Sequence, residues 1–276
     1  DMENASSEPP VSAFEADVAS EPAEFPARQQ AEEPMPAPVS PSATFGYAEV
    51  DAMARSLAQA PYEEPASAPK DARALNYDQY RRVQGKPGSW LWSGGTSSFE
   101  VRLDPRGYLF DQAVEINVIE NGKVEPKPYE AGQFDFLDLP LDKATKEVLG
   151  YSGFRLLAPF ATPGKYDEVI SFRGASFFRA LGAGSVYGTS ARGISIGTAS
   201  PEGEEFPSLR AFWLEKPRIG DNQFRLYALL DGKSITGAYE FRIEPGLDTI
   251  VRVRASFYPR RNLANAGVVP LTSMYY

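Results

Sequence analysis

The clearest alternation of apolar and polar positions lies between residues 239 and 257. Tyr239, Phe241 and Ile243 fall on one side of an extended chain, and Glu240, Arg242 and Glu244 on the other. Pro245-Gly246 turns the chain, after which Val251, Val253, Ala255 and Phe257 line one face opposite Arg252 and Arg254. The same period of two runs through Val114-Glu115-Ile116-Asn117-Val118. Asn121-Gly122 follows it, the pair that two-residue hairpins favour because both residues take positive φ. Asp231-Gly232 marks another hairpin after the apolar run Leu226–Leu230. Long helical patterns and βαβ spacing are both missing from Phe99 onward. The expected fold is therefore all-β, a large antiparallel β-sandwich.

Upstream the period changes. Tyr47, Val50, Met53, Ala54 and Leu57 recur at spacings of three and four, which predicts a short helix closed by Pro61. Pro65 and Pro69 mark a linker. Residues 1–44 carry nine acidic side chains against Arg28 alone, a balance of −8 out of the chain's −9. With eight prolines and only two phenylalanines, this segment cannot bury enough apolar surface to offset its ordering entropy, so it is expected to be disordered. It is read as a solvated linker rather than an acidic interaction arm. The expected organisation is an acidic segment at 1–44, a helix and linker at 45–69, and a β-sandwich at 70–276.

The remaining near-neutral part has no basic stripe, which excludes a nucleic-acid partner. The chain has no cysteine and no histidine. Thiol nucleophiles, Ser-His-Asp triads and Cys/His zinc sites are thereby excluded. No spacing of Asp and Glu matches a calcium loop, and neither a metal nor a cofactor is expected. No apolar run reaches membrane-helix length. The chain opens on Asp1, which fits either a removed export leader or a cut boundary.

Gly174–Pro207 concentrates glycines around Arg179, Tyr187, Arg192 and the pair Glu204-Glu205. Glycines at this density let backbone approach backbone, or a ligand, closely. This stretch, with Leu75-Asn76-Tyr77-Asp78-Gln79-Tyr80, Ala211-Phe212-Trp213-Leu214-Glu215 and Pro270-Leu271-Thr272-Ser273-Met274, resembles the bacterial periplasmic glucan biosynthesis protein G/D family (OpgG/MdoG) over residues 45–276. The resemblance implies a sandwich similar to mutarotases or galactose-binding domains, with the predicted helix docked on it. It also implies a periplasmic location and a role in osmoregulated β-1,2-glucan biosynthesis. A β-glucan would be the ligand and a membrane glucan synthase a further partner. Two readings stay open: a protein that binds and cleaves or remodels the glucan backbone, and a non-catalytic binding or assembly factor.

Sugar recognition uses aromatic faces and planar polar groups. Tyr187, Tyr77, Tyr80 and Trp90 are the candidate platforms, while Trp213 sits in an apolar run that reads as core. Trp90 and Trp92 would share one side of a strand, with one of them exposed. Arg179 and Arg192 bracket the glycine-rich turns and are read as donors to sugar hydroxyls, the alternative being surface ion pairs. Glycoside cleavage needs two acidic groups at one bond. Glu204 and Glu205 face opposite ways on a strand, as do Asp167 and Glu168, so Glu204, Glu205 and Asp167 are single candidates without a partner. Some relatives carry an acid where this chain has Gly197. Family members continue past Pro-Leu-Thr-Ser-Met into a His-Asp-Ser segment, which puts the expected catalytic acid beyond Tyr276.

Overall fold

The computed structural model describes residues 45–162, 164–185 and 189–272. The expected disordered segment at 1–44 and the candidate Tyr187 lie outside the described residues. The helices are α1 (Tyr47–Leu57), α2 (Lys70–Arg73), α3 (Tyr77–Tyr80) and α4 (Lys143–Glu147). The first strands are β1 (Gln84–Gly85), β2 (Glu100–Pro105), β3 (Glu115–Glu120), β4 (Lys123–Pro126), β5 (Phe134–Asp135), β6 (Tyr151–Thr162), β7 (Lys165–Arg173) and β8 (Phe177–Ala180). They are followed by β9 (Thr189–Arg192), β10 (Ile194–Ile196), β11 (Ser208–Glu215), β12 (Phe224–Asp231), β13 (Ile235–Glu244), β14 (Ile250–Pro259), β15 (Ala266–Val268) and β16 (Leu271–Thr272).

Two six-stranded sheets carry the fold. The first has the order β14-β13-β12-β11-β3-β4 and the second β16-β9-β8-β7-β6-β2. Their inner faces meet through aromatic rings. Phe172 of the second sheet sits edge-on to Phe241 and Phe212 of the first at centroid distances of 5.0 and 5.7 Å. Phe154 does the same to Phe212 at 5.1 Å. Tyr239, Phe241 and Ile243 are fully buried on this inner face, as the alternation predicts. The β-sandwich expectation is met, with one refinement. Among the described residues all paired strands are antiparallel except β3 and β11, which run parallel (Phe212 opposite Ile116). That pairing joins segments about 90 residues apart, and alternation has no power to assign a strand's neighbour.

The hairpins fall where the turn residues put them. Asn121 and Gly122 take φ of 51° and 76° between β3 and β4. Asp231-Gly232 and Pro245-Gly246 separate β12, β13 and β14. Helix α1 lies on the outer face of the first sheet, where Val50 and Ala54 pack with Ala211, Trp213, Tyr227 and Ala238. Phe45 stacks on Trp213 at 5.2 Å. The Thr236 hydroxyl donates to the Ala54 carbonyl at 2.7 Å. Docking is as expected, but Met53 is exposed rather than part of the buried stripe. The narrow contact of a helix with a sheet needs only Val50 and Ala54 fully inside. Trp213 is buried, in this helix–sheet layer and not between the sheets.

Trp90 and Trp92 do not share a side of a strand. Trp92 adopts φ 62°, breaks the extended chain and packs on Phe224 at 5.8 Å. Trp90 donates its indole N–H to the Gly85 carbonyl at 3.3 Å.

Candidate functional site

The outer face of the second sheet is the chemical opposite of its inner face. Alternation that sends Val101, Phe154, Ile170, Phe172 and Phe178 inward sends Arg102, Arg155, Ser171, Arg173 and Arg179 outward. Register aligns them. Arg102 opposes Arg155, Arg155 opposes Ser171, Ser171 opposes Arg179, and Arg179 opposes Ser190. One step along the strands, Phe177 opposes Arg192. Asp104 holds Arg155 through both Nε (3.2 Å) and Nη2 (2.7 Å).

A cleft crosses this face and continues over the end of the sandwich. Its first recess, about 660 Å³, is lined by Tyr77, Leu109, Phe110, Ser171, Arg173, Phe177, Arg179 and Ser190. A narrower middle part of about 240 Å³ shares Leu109, Phe110, Arg173 and Phe177 with it and adds Asp111, Gln112, Phe206 and Ser208. A third recess, also about 660 Å³, shares Gln112 and Phe206 and is walled by Tyr62, Glu64, Glu202, Glu204, Glu205, Arg261 and Asn265. The lead-in segment after α1 thus builds one wall rather than acting as a plain linker. Arg106 pins it by donating Nη1 to the carbonyls of Ala66 and Asp111 (3.0 and 3.1 Å), with Leu149 and Val148 accepting from the same guanidinium.

Arg192 lines none of the three recesses itself, but it touches Phe177, Phe206 and Glu204, which do. Its guanidinium lies between the rings of Phe177 (5.1 Å) and Phe206 (5.3 Å) and pairs with Glu204. Two aromatic faces and a carboxylate fix the fork of donors in one plane. Phe206 is half exposed, so part of its ring remains open to a ligand. Arg173 rests on Phe110 at 4.5 Å. Burial opposes its charge, but Asp104 and Tyr80 more than offset that, and its pKa lies above the ordinary guanidinium value.

The three acid candidates are not assembled into a pair. Glu204 accepts from Arg192 and from the Thr198 hydroxyl (3.1 Å). Glu205 turns the other way and accepts the Ser234 backbone N–H at 2.9 Å, with Arg261 3.8 Å off. The two carboxylates have different partners, but both residues line the third recess. Asp167 pairs with Lys165 at 2.8 Å on β7 and lines none of the three recesses. Among the aromatic candidates, Tyr77 reaches the first recess and is well exposed. Tyr80 is a correction: it is buried, and its hydroxyl donates to the Pro105 carbonyl at 2.9 Å, so neither ring face is free. Trp90 is another, because the Arg102 guanidinium covers its ring at 3.8 Å and it lines no part of the cleft.

Close approach within the protein explains Gly182, which faces the Leu247 carbonyl, and Gly193, whereas Gly184 and Gly203 have open space around them. A Cβ at Gly193 would come within 2.7 Å of the Tyr239 hydroxyl. Gly197 has φ +68°, donates its N–H to the Asn265 carbonyl at 2.9 Å, and would hold an acidic side chain only under strain. Sequence reasoning missed Arg173, Phe177, Phe206 and the lead-in wall. Phe177 and Arg192 are 15 residues apart, and only the β8–β9 register brings them together.

The model of the family described as "Periplasmic glucan biosynthesis protein, MdoG" matches residues 45–276. The chain belongs to this family. It is 42% identical over 233 residues to glucans biosynthesis protein G of Ralstonia nicotianae, covering 84% of this chain and 46% of that relative. The protein of the same name from Pseudomonas syringae pv. tomato is 40% identical over 232 residues, covering 84% and 36%. That of Rhodopseudomonas palustris is 42% identical over 256 residues, covering 92% and 50%. The chain spans half or less of the length of these curated relatives. The MdoG match takes in α1, the lead-in wall and all three recesses. Among the described residues no helix is long and apolar enough to cross a membrane.

Proposed function

We propose that this chain holds a β-1,2-linked glucan along the cleft, as a periplasmic component of glucan biosynthesis. The observation that carries the reading is Arg192, clamped between Phe177 and Phe206 beside an open groove. The half-exposed Phe206 ring supplies a face for the C–H side of a pyranose, and the guanidinium holds that ring and Glu204 in place beside the groove. Tyr77 and Leu109 extend the apolar floor at one end, while Asn265 and the glutamates of the third recess offer acceptors at the other. The name of the relatives, glucans biosynthesis protein G, supports glucan as the ligand class.

Binding, rather than cleavage, is what the described residues are arranged to do. Glu204 is engaged by Arg192, Glu205 by the Ser234 N–H and Asp167 by Lys165, so each already has a partner that favours its ionised form rather than the protonated form a general acid needs. A membrane glucan synthase fits this reading as the enzyme that would deliver the polymer.

The test is calorimetric titration of linear β-1,2-glucan into the wild type and Arg192→Ala, with chromatography of the mixture for shorter products. Binding that falls about 10- to 100-fold in the variant, a loss of about 1.4–2.8 kcal/mol, is expected, with no products released. Equal binding by the two proteins, or none by either, removes the reading. Product release by the wild type would instead return the single acids to the centre of the mechanism.

A further inference from the structure

The narrower middle part of the cleft holds an uncharged polar pair. Gln112 lines both this part and the third recess, and Ser208 lines the middle part beside it. The Ser208 hydroxyl donates to Oε1 of Gln112, although the two residues are 96 positions apart in the chain. Neither sits on a loose segment. The Asp111 carbonyl accepts Nη1 of Arg106 at 3.1 Å, and the Asp111 carboxylate accepts the Ala68 N–H, which fixes the backbone just before Gln112. Two residues on, the Val114 N–H donates to the Tyr151 carbonyl at 2.9 Å. Ser208 opens β11 opposite Asp231, and the N–H of Leu209 donates to the Ala175 carbonyl at 3.0 Å. Both side chains are therefore held by ordered backbone, as a selective site requires.

The bond between them sets the polarity of what is left over. With Oε1 taken, Gln112 presents the two N–H donors of Nε2, which have no partner among the described residues. The Ser208 oxygen has given its proton to Gln112 and presents lone pairs. A donor and an acceptor thus stand side by side, in a part of the cleft of only about 240 Å³. Two adjacent hydroxyls of one sugar ring match them, one accepting from the amide and the other donating to the serine. Linkage decides whether a ring has such a pair. A ring inside a β-1,2-linked chain keeps its neighbouring 3- and 4-hydroxyls free. Inside a β-1,3-linked chain the 3-position is consumed, and the remaining 2- and 4-hydroxyls are not neighbours.

We infer that Gln112, oriented by Ser208, binds the adjacent 3- and 4-hydroxyls of the ring in the middle of the cleft and so selects β-1,2-linked over β-1,3-linked glucan. The inference rests on the glucan reading above. It divides the labour within the cleft: the Phe206 ring holds a pyranose by its apolar side whatever its linkage, and Gln112 with Ser208 supplies the preference.

The experiment titrates linear β-1,2-glucan and linear β-1,3-glucan of matched length into the full 276-residue chain as wild type, Gln112→Met and Gln112→Glu. Methionine keeps the length of the side chain and removes its donors together with the acceptor for Ser208. Glutamate keeps that acceptor and removes only the donors, so Ser208 stays paired even if the methionine variant fails to fold. In both variants the affinity for β-1,2-glucan is expected to fall about tenfold, equivalent to about 1.4 kcal/mol, with the affinity for β-1,3-glucan unchanged. A merely structural role would weaken both polymers together. That result, or β-1,2-glucan binding equal to the wild type, overturns the inference and leaves the glucan reading standing. If the wild type binds no β-1,3-glucan, the urea midpoint decides. A tenfold loss of β-1,2-glucan affinity in Gln112→Glu at an unchanged midpoint keeps the inference, and a loss that tracks the midpoint ends it. Binding of neither polymer by the wild type removes the glucan reading and this inference with it.

Discussion

The two sheets have equal strand counts and similar inner faces, yet their outer faces are opposites. On the first sheet, Ala211, Trp213, Tyr227 and Ala238 point outward and are sealed by α1. On the second, the outward positions of β6 to β9 are filled by Arg155, Ser171, Arg173, Arg179, Ser190 and Arg192, and the middle four of these, Ser171, Arg173, Arg179 and Ser190, line a cleft. The same two-residue period produces both faces. What differs is the cover. A sheet face buried under a helix gains its stability from apolar area, whereas a face left to a ligand carries donors that give little stability by themselves. Stability and binding should therefore separate cleanly between the two faces.

The largest expected effect is on the sealed face. Trp213→Ala removes a buried ring stacked on Phe45 and should destabilise the protein by about 3–5 kcal/mol in urea denaturation. Glucan affinity of the folded protein should be unchanged. The comparison breaks if affinity falls in step with stability. Arg192→Ala is the mirror experiment: its pair with Glu204 is more than four-fifths buried, so stability should fall by about 1–3 kcal/mol, less than on the sealed face, while glucan binding falls about 10- to 100-fold.

A smaller effect is expected where the glycine-rich run meets the core. Gly193→Ala forces a Cβ against the Tyr239 hydroxyl and should destabilise by about 1–3 kcal/mol. That hydroxyl is buried with no hydrogen-bond partner among the described residues. Tyr239→Phe should accordingly be close to neutral alone, and combined with Gly193→Ala it should recover most of the loss. A double mutant no better than Gly193→Ala would show that the glycine serves the backbone rather than this contact.

The smallest effect is a pH dependence on the sealed face. The Asp51 carboxyl accepts from the Tyr258 hydroxyl at 2.7 Å, and that bond chiefly holds its pKa below the ordinary 3.8. Because the folded pKa is depressed, the contribution is whole above about pH 4 and is lost as pH falls through the lower folded value. The thermal midpoint should therefore drop in acid less steeply in Tyr258→Phe than in the wild type. Equal slopes would remove Asp51 from the docking of α1.

The hairpins, the inward face of β13 and β14, and the extent of α1 along the chain were legible because each is fixed within about twenty residues. Turn chemistry and periodicity act over that range. The parallel pairing of β3 with β11 was not legible, since a strand's alternation names its faces and not its neighbour. For the cleft the same limit applies with more force. Arg179 and Arg192 stood out by composition, but their partners did not. Phe177 reaches Arg192 through register, and Phe206 does so through a loop with no pattern at all. Tyr80 misled because an aromatic in a polar run resembles a ligand platform. Only the fold reveals that Pro105 takes its hydroxyl and Tyr108 and Phe110 surround its ring.

The place of α1 has a consequence for the order of assembly. The helix is near the beginning of the chain, yet it is tied to Thr236, 182 residues onward, and to Arg260, 203 residues beyond its Leu57 carbonyl. A chain emerging from its N-terminus at about 5–20 residues per second exposes Val50 and Ala54 for roughly 10–40 s before the strands that cover them exist. An isolated eleven-residue helix is marginal over that interval, so the segment waits largely unstructured. Contacts of such separation are also the slowest to close. Helix α1 is thus made well before the strands that seat it, and a chaperone that shields this short apolar stripe would act in that interval.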